Sequence, residues 1–166
     1  MTEQTQVSES EILSEVEQYL KRLEVRYGRT KLGENEVIGA PWVIDEKDFL
    51  VLIRIKNDWI WISAALLLKE EFPQGKEKEF LLECLRANHI LPEICFDADQ
   101  EGNLGTSQEL HVMSIKDEGG FSEFKYEFFA IPACIKYFIT KIAPQFDIEV
   151  NGFSEMVENF IKKVQE

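Results

Sequence analysis

The sequence predicts an α+β domain, a twisted antiparallel sheet of five or six strands with helices packed on one face, in the order α-β-β-β-α-β-β-(β)-α-α. Three observations predict it. Apolar residues recur at steps of three and four near both ends of the chain, as on amphipathic helices. Two alternating apolar runs flank Asn57-Asp58, a two-residue turn of the hairpin type. The composition, 45% apolar and 30% charged over 166 residues, is that of one globular domain spanning 1–166. A chain of this size buries about 70% of its surface, enough for a core without disulfides or metal.

The start, Met1 to Gln6, is polar, and a frayed segment is expected over residues 1–7. From Ser8 or Ser10, either one an N-cap, the residues Ile12, Leu13, Val16, Tyr19, Leu20, Leu23 and Tyr27 form one helical stripe that Gly28 ends. Arg29 to Glu36 reads as a loop. Val37 to Ile44 reads as an edge or irregular strand because it contains Pro41. Phe49 to Lys56 and Trp59 to Leu67 form the hairpin, with Lys56 opposite Trp59, Arg54 opposite Trp61 and Ile55 opposite Ile60. The period of two then sorts it into faces. One face, Phe49, Val51, Ile53, Ile55, Ile60, Ile62, Ala64 and Leu66, is aliphatic enough to be core. The other sets Leu50, Leu52, Arg54 and Lys56 against Trp59, Trp61, Ser63 and Ala65.

Lys76 to Asn88 reads as a second helix with Phe80, Leu81, Cys84 and Leu85 inward, and His89 as its C-terminal capping residue. Strands follow at Glu93 to Ala98 and Leu104 to Met113, separated by the turn Asp99-Gln100-Glu101-Gly102. In Phe121 to Ile131 the residues Phe124, Tyr126, Phe128 and Ala130 alternate with mostly polar neighbours, which favours a strand; a helix is the other reading of the stretch. Pro132 fits the first position of a helix carrying Cys134, Ile135, Phe138, Ile139 and Ile142, closed by Pro144. Phe153, Met156, Val157, Phe160, Ile161 and Val164 mark a last amphipathic helix, whose stripe completes the core or docks on a second subunit.

The net charge of -13 repels phosphate backbones and anionic membranes, so neither nucleic acid nor membrane is an expected partner. The longest nearly unbroken apolar run, Trp59 to Leu68, has ten residues, where a span needs about 20. No signal peptide is visible in Met1 to Ser10. Cys84, Cys95 and Cys134 read as reduced thiols, and a cytoplasmic protein is expected. His89 and His111, the only histidines, stand in no zinc or general-base spacing. No nucleophile elbow, phosphate loop or dinucleotide fingerprint occurs, so no catalytic residue and no cofactor is assigned.

Two patches stand out. Arg54, Lys56, Trp59 and Trp61 combine the residue types that dominate protein interfaces, and the cross-strand pairs Arg54–Trp61 and Lys56–Trp59 are expected as cation–π contacts. They form a protein-binding surface, or a helix of the same chain covers them. Asp97, Asp99 and Glu101 imitate the start of a calcium loop. The string departs from that pattern at its fifth residue, Glu101, and at its twelfth, Gln108, and a solvated turn explains the same residues. A small-ligand- or calcium-responsive regulator is therefore the alternative function.

Leu81-Leu82-Glu83-Cys84-Leu85-Arg86-Ala87-Asn88, followed by Cys95-Phe96-Asp97-Ala98-Asp99 and Gly102-Asn103-Leu104, resembles a pattern of the type III secretion chaperone-like fold, which includes the CesT and YbjN groups. In that pattern a helix ends near Asn, a strand follows with an aromatic residue and Asp, and an acidic Gly turn comes next. The resemblance covers about residues 8 to 143 and is stronger to uncharacterised cyanobacterial relatives of the fold than to a secretion chaperone. An added strand at Phe121 to Ile131 and a helix after Gly152 would be departures from it. The resemblance implies a homodimer that binds a protein or peptide client without chemistry, as a chaperone-like module or assembly factor.

Overall fold

The computed structural model describes residues 8–165, and the frayed start expected over residues 1–7 lies outside them. Helix α1, Glu9–Arg22, opens on Ser8 in a capping box: the Glu11 amide donates to Ser8 Oγ (3.3 Å), while the Ser8 amide donates to the Glu11 carboxylate (3.0 Å). The Ser8 amide, with the Ser8 hydroxyl donating to the same carboxylate, holds the Glu11 carboxyl below its ordinary range. The helix stops at Arg22 rather than at Gly28, because Glu24 turns left-handed (φ 57°).

Gly28 opens a strand instead. Where a loop was expected, β1 (Gly28–Leu32) pairs with β2 (Asn35–Ile44). Its alternation is polar, so hydropathy hides it. Arg29 fixes it: the guanidinium donates to Glu36 at 2.6 Å and to Glu17 of α1 at 3.1 Å. Strands β3 (Lys47–Lys56) and β4 (Trp59–Leu67) form the expected hairpin, with Lys56↔Trp59, Arg54↔Trp61 and Ile55↔Ile60 in register. Asn57 and Asp58 both have positive φ, as the tight turn requires. Strands β5 (Phe96–Ala98) and β6 (Leu104–His111) complete an antiparallel six-stranded sheet in the order β1-β2-β3-β4-β6-β5.

The aliphatic face is the core. Phe49, Val51, Ile53, Ile60 and Ile62 are fully buried beneath α1 and α3 (Gly120–Tyr137), and α2 (Glu77–Ile90) joins the same core over β5. Phe121 to Ile131 is the first part of α3, not a strand. Its buried residues Phe124, Phe128, Ile131 and Ile135 follow steps of three and four, and Tyr126, inward in the strand reading, is 64% exposed. Consequently Pro132 lies inside α3 rather than at a helix start. A π-helical turn, Phe138–Ile142, and a 3₁₀ turn, Ala143–Phe146, end the segment around Pro144.

Helix α4, Ser154–Gln165, departs from the arrangement of helices on one face. Its Val157 and Phe160 pack on Val37 and Leu50, on the side of the sheet opposite α1–α3. The stripe on α4 thus docks on the chain's own sheet, in a small cluster separate from the main core.

Candidate functional site

Residues directly opposite in an antiparallel pair share a face, so the register extends the tryptophan face onto β6. Trp61 stands between Arg54 and Glu109, and Trp59 between Lys56 and His111. Leu52, Ser63 and Ser107 form the next row toward α4. The helix covers the leucine end of this face and leaves the tryptophan end open: Trp59 is 40% exposed, Trp61 is half-buried, and Arg54 and Lys56 are exposed. A helix of the same chain thus covers part of this face, and Arg54, Lys56, Trp59 and Trp61 lie beyond the covered part.

The expected straight cation–π pairs do not form. Lys56 reaches diagonally, its Nζ 5.6 Å from the Trp61 ring centre, and Trp59 stands edge-on against His111 at 5.3 Å. A long side chain spans the diagonal of a sheet, and His111 has taken the ring of Trp59. Among the described residues neither Arg54 nor Lys56 has an ion-pair partner.

The acidic turn meets this face. A groove of about 640 Å³ has Arg54, Lys56 and Trp61 on one side and Asp97, Asp99 and Glu101 on the other, so the fold joins the two patches that stand apart in sequence. A second, mostly apolar groove of about 670 Å³ is lined by Leu50, Leu52 and Phe160, and the two share Leu68, Phe153 and Met156. Two of the turn's three carboxylates are already engaged. Asp97 accepts from Ser107 Oγ. Asp99 accepts from the Asn103 amide (2.9 Å) and side chain (2.8 Å), bonds that hold its carboxyl below the usual range. These residues form a hydrogen-bonded turn, and among the described residues no three His, Cys, Asp or Glu side chains converge to hold a metal.

The expectation for α2 is corrected. Phe80, Cys84 and Ala87 face the core, whereas Leu81 and Leu85, expected inward, point outward. With Leu82 and Ile90 they form an apolar surface 39–70% exposed. The signal was present as Leu81-Leu82-x-x-Leu85, more leucine than one narrow stripe accommodates. Asn88, rather than His89, secures the end of this helix. It accepts from the Phe96 amide (2.7 Å) and donates to the Phe96 carbonyl (2.9 Å), mimicking a neighbouring strand. The outer edge of β5 is thereby plugged, leaving β1 as the open edge of the sheet.

Cys84 and Cys134 are buried and Cys95 half-buried, all as free thiols. Burial pushes the first two up to about 12 and the third upward, so none is held as a thiolate at neutral pH. Among the described residues no helix is long and apolar enough to cross a membrane.

No protein-family model matches the sequence, and no curated protein is similar to it. A solved structure is similar in fold: the crystal structure of an uncharacterized protein from Methanothermobacter thermautotrophicus, with a TM-score of 0.52 and 15% identity, over 81% of this chain and 99% of that one. At that identity the likeness concerns the fold alone.

Proposed function

We propose that this protein is a non-catalytic polypeptide-binding module, chaperone-like or an assembly factor, which works as a homodimer. The observation that carries the reading is the half-covered second face. Trp61 and two cations with no ion-pair partner among the described residues stand beside an apolar groove, a combination suited to holding a peptide's side chains while its backbone is satisfied elsewhere. The exposed leucines of α2 supply a self-complementary surface for a second copy. The resemblance to the type III secretion chaperone-like fold agrees with both, and the helical 120–137 segment removes one of the two departures from it.

Light scattering over a hundredfold concentration range tests the dimer. A mass near twice 19.3 kDa, reduced to 19.3 kDa by Leu85→Glu, is the expected result; a wild-type monomer throughout contradicts it. Binding to an arrayed peptide library tests the face. Trp61→Ala should abolish capture while the melting transition stays cooperative, and unchanged capture would move the site elsewhere.

A further inference from the structure

The trough beneath α4 is built to receive a helix. Two glycines on neighbouring strands floor it: a Cβ on Gly28 would lie 2.6 Å from Val164, and one on Gly39 would collide with the Phe160 ring. Yet the helix seated there is lightly held. Val157 and Phe160 are its only buried residues, their cluster is detached from the main core, and Met156 and Val164 are 41% and 37% exposed. By contrast, the similarly short α1 buries four residues in the main core. The firm attachment of α4 is at its N-terminal end. There the Phe153 amide donates to the Asp48 carbonyl (2.7 Å), Ser154 Oγ donates to the Asp48 carboxylate (2.7 Å), and Gly152 turns with φ 72° against that strand. Beyond this pivot the helix rests on the sheet by its side chains.

We propose that α4 is a displaceable cover, and that its trough is the docking site for an amphipathic helix of a partner protein. The seated helix specifies the chemistry. Such a partner carries apolar residues at i, i+3, i+4 and i+7, as Val157, Phe160, Ile161 and Val164 do, with an aromatic ring at the second of these over Gly39. A groove opens along the covered strip, so an incoming helix can engage the half-buried Leu52 before α4 leaves and Leu50 once it has left. Released α4, at 12 residues, is too short to stay helical alone in water, so a partner helix that keeps its own fold has the advantage in the seat. The seat of α4 carries this on its own and does not require the tryptophan groove to bind a client.

A fluorescein-labelled peptide of residues 152–165 is the probe, titrated against full-length protein. It should bind Phe160→Ala at least tenfold more tightly than wild type, because the variant's own helix competes less. It should gain helical circular dichroism on binding, and lose binding when Gly39→Ala is added to Phe160→Ala. A scrambled peptide should bind neither. Equal binding to wild type and Phe160→Ala, or no binding to either, would overturn the proposal. So would retention of binding in the double variant. If Phe160→Ala does not fold, Val157→Ala, which trims the same cluster by less, takes its place under the same criteria. Dimers that form between Phe160→Ala chains and vanish with Gly39→Ala would assign the seat to a second copy and overturn the partner-helix reading.

Discussion

The two faces of one sheet are built on opposite plans. The first is closed by three helices and by aromatic packing such as Phe124 stacked on Phe128 at 5.7 Å, and its strand residues are buried from Ile38 across to Leu110. The second has one small helix, four buried residues in its cluster and two open grooves. The hairpin supplies both: alternate residues of β3 and β4 send an aliphatic set one way and a mixed leucine, cation and tryptophan set the other. A protein stabilised through one face is free to use the other, since substitutions there cost little folding energy.

The largest expected effect breaks the comparison if it fails. Phe128→Ala should cost about 3–5 kcal/mol in urea denaturation, the range for a fully buried phenylalanine. Phe160→Ala should cost only about 1–2 kcal/mol, because the loss is capped by what docking one local unit contributes. Equal losses would make both faces core. Next in size, Leu85→Glu at an exposed site and Trp61→Ala at a half-buried one should each change stability by no more than about 1 kcal/mol, while removing self-association and peptide capture respectively.

Smaller still is the effect on thiol reactivity. In the native protein at pH 8, iodoacetamide followed by mass spectrometry should label Cys95 ahead of Cys84 and Cys134, whose thiols burial pushes up to about 12. Fast labelling of Cys84 would show that the closed face opens. The smallest effect concerns the acidic turn. Asn103→Ala should raise the Asp99 carboxyl toward its ordinary value in an NMR titration. Since its folded pKa is depressed, the stabilisation from Asp99 is complete above the unfolded carboxylate pKa and lost as pH falls through the folded value. The variant should lose that part of the acid dependence.

Much of this was legible in the sequence because the signals were local. Asn57-Asp58 and its flanking alternation set the hairpin register, and the register alone separated the two faces. What was not legible depended on distant partners. Strand β1 is polar and exists through Arg29, whose carboxylates lie on α1 and β2. The stretch from Phe121 satisfies a period of two and a period near 3.6 at once, and only burial by α1 and the sheet decides between them. On α2 three leucines compete for one inward stripe that Phe80 and Cys84 already fill. The site was visible as two patches, Arg54 to Trp61 and Asp97 to Glu101; their meeting in one groove follows from β6 pairing with β4, which no local pattern states.

Hydrogen exchange on the intact wild-type protein separates a closed face from an openable one most directly. Amides of α4 should exchange through a local opening at least a hundredfold faster than those of β3 and α3, which should exchange only with global unfolding. Protection in α4 equal to that of β3 would contradict the distinction and make the second face as much core as the first.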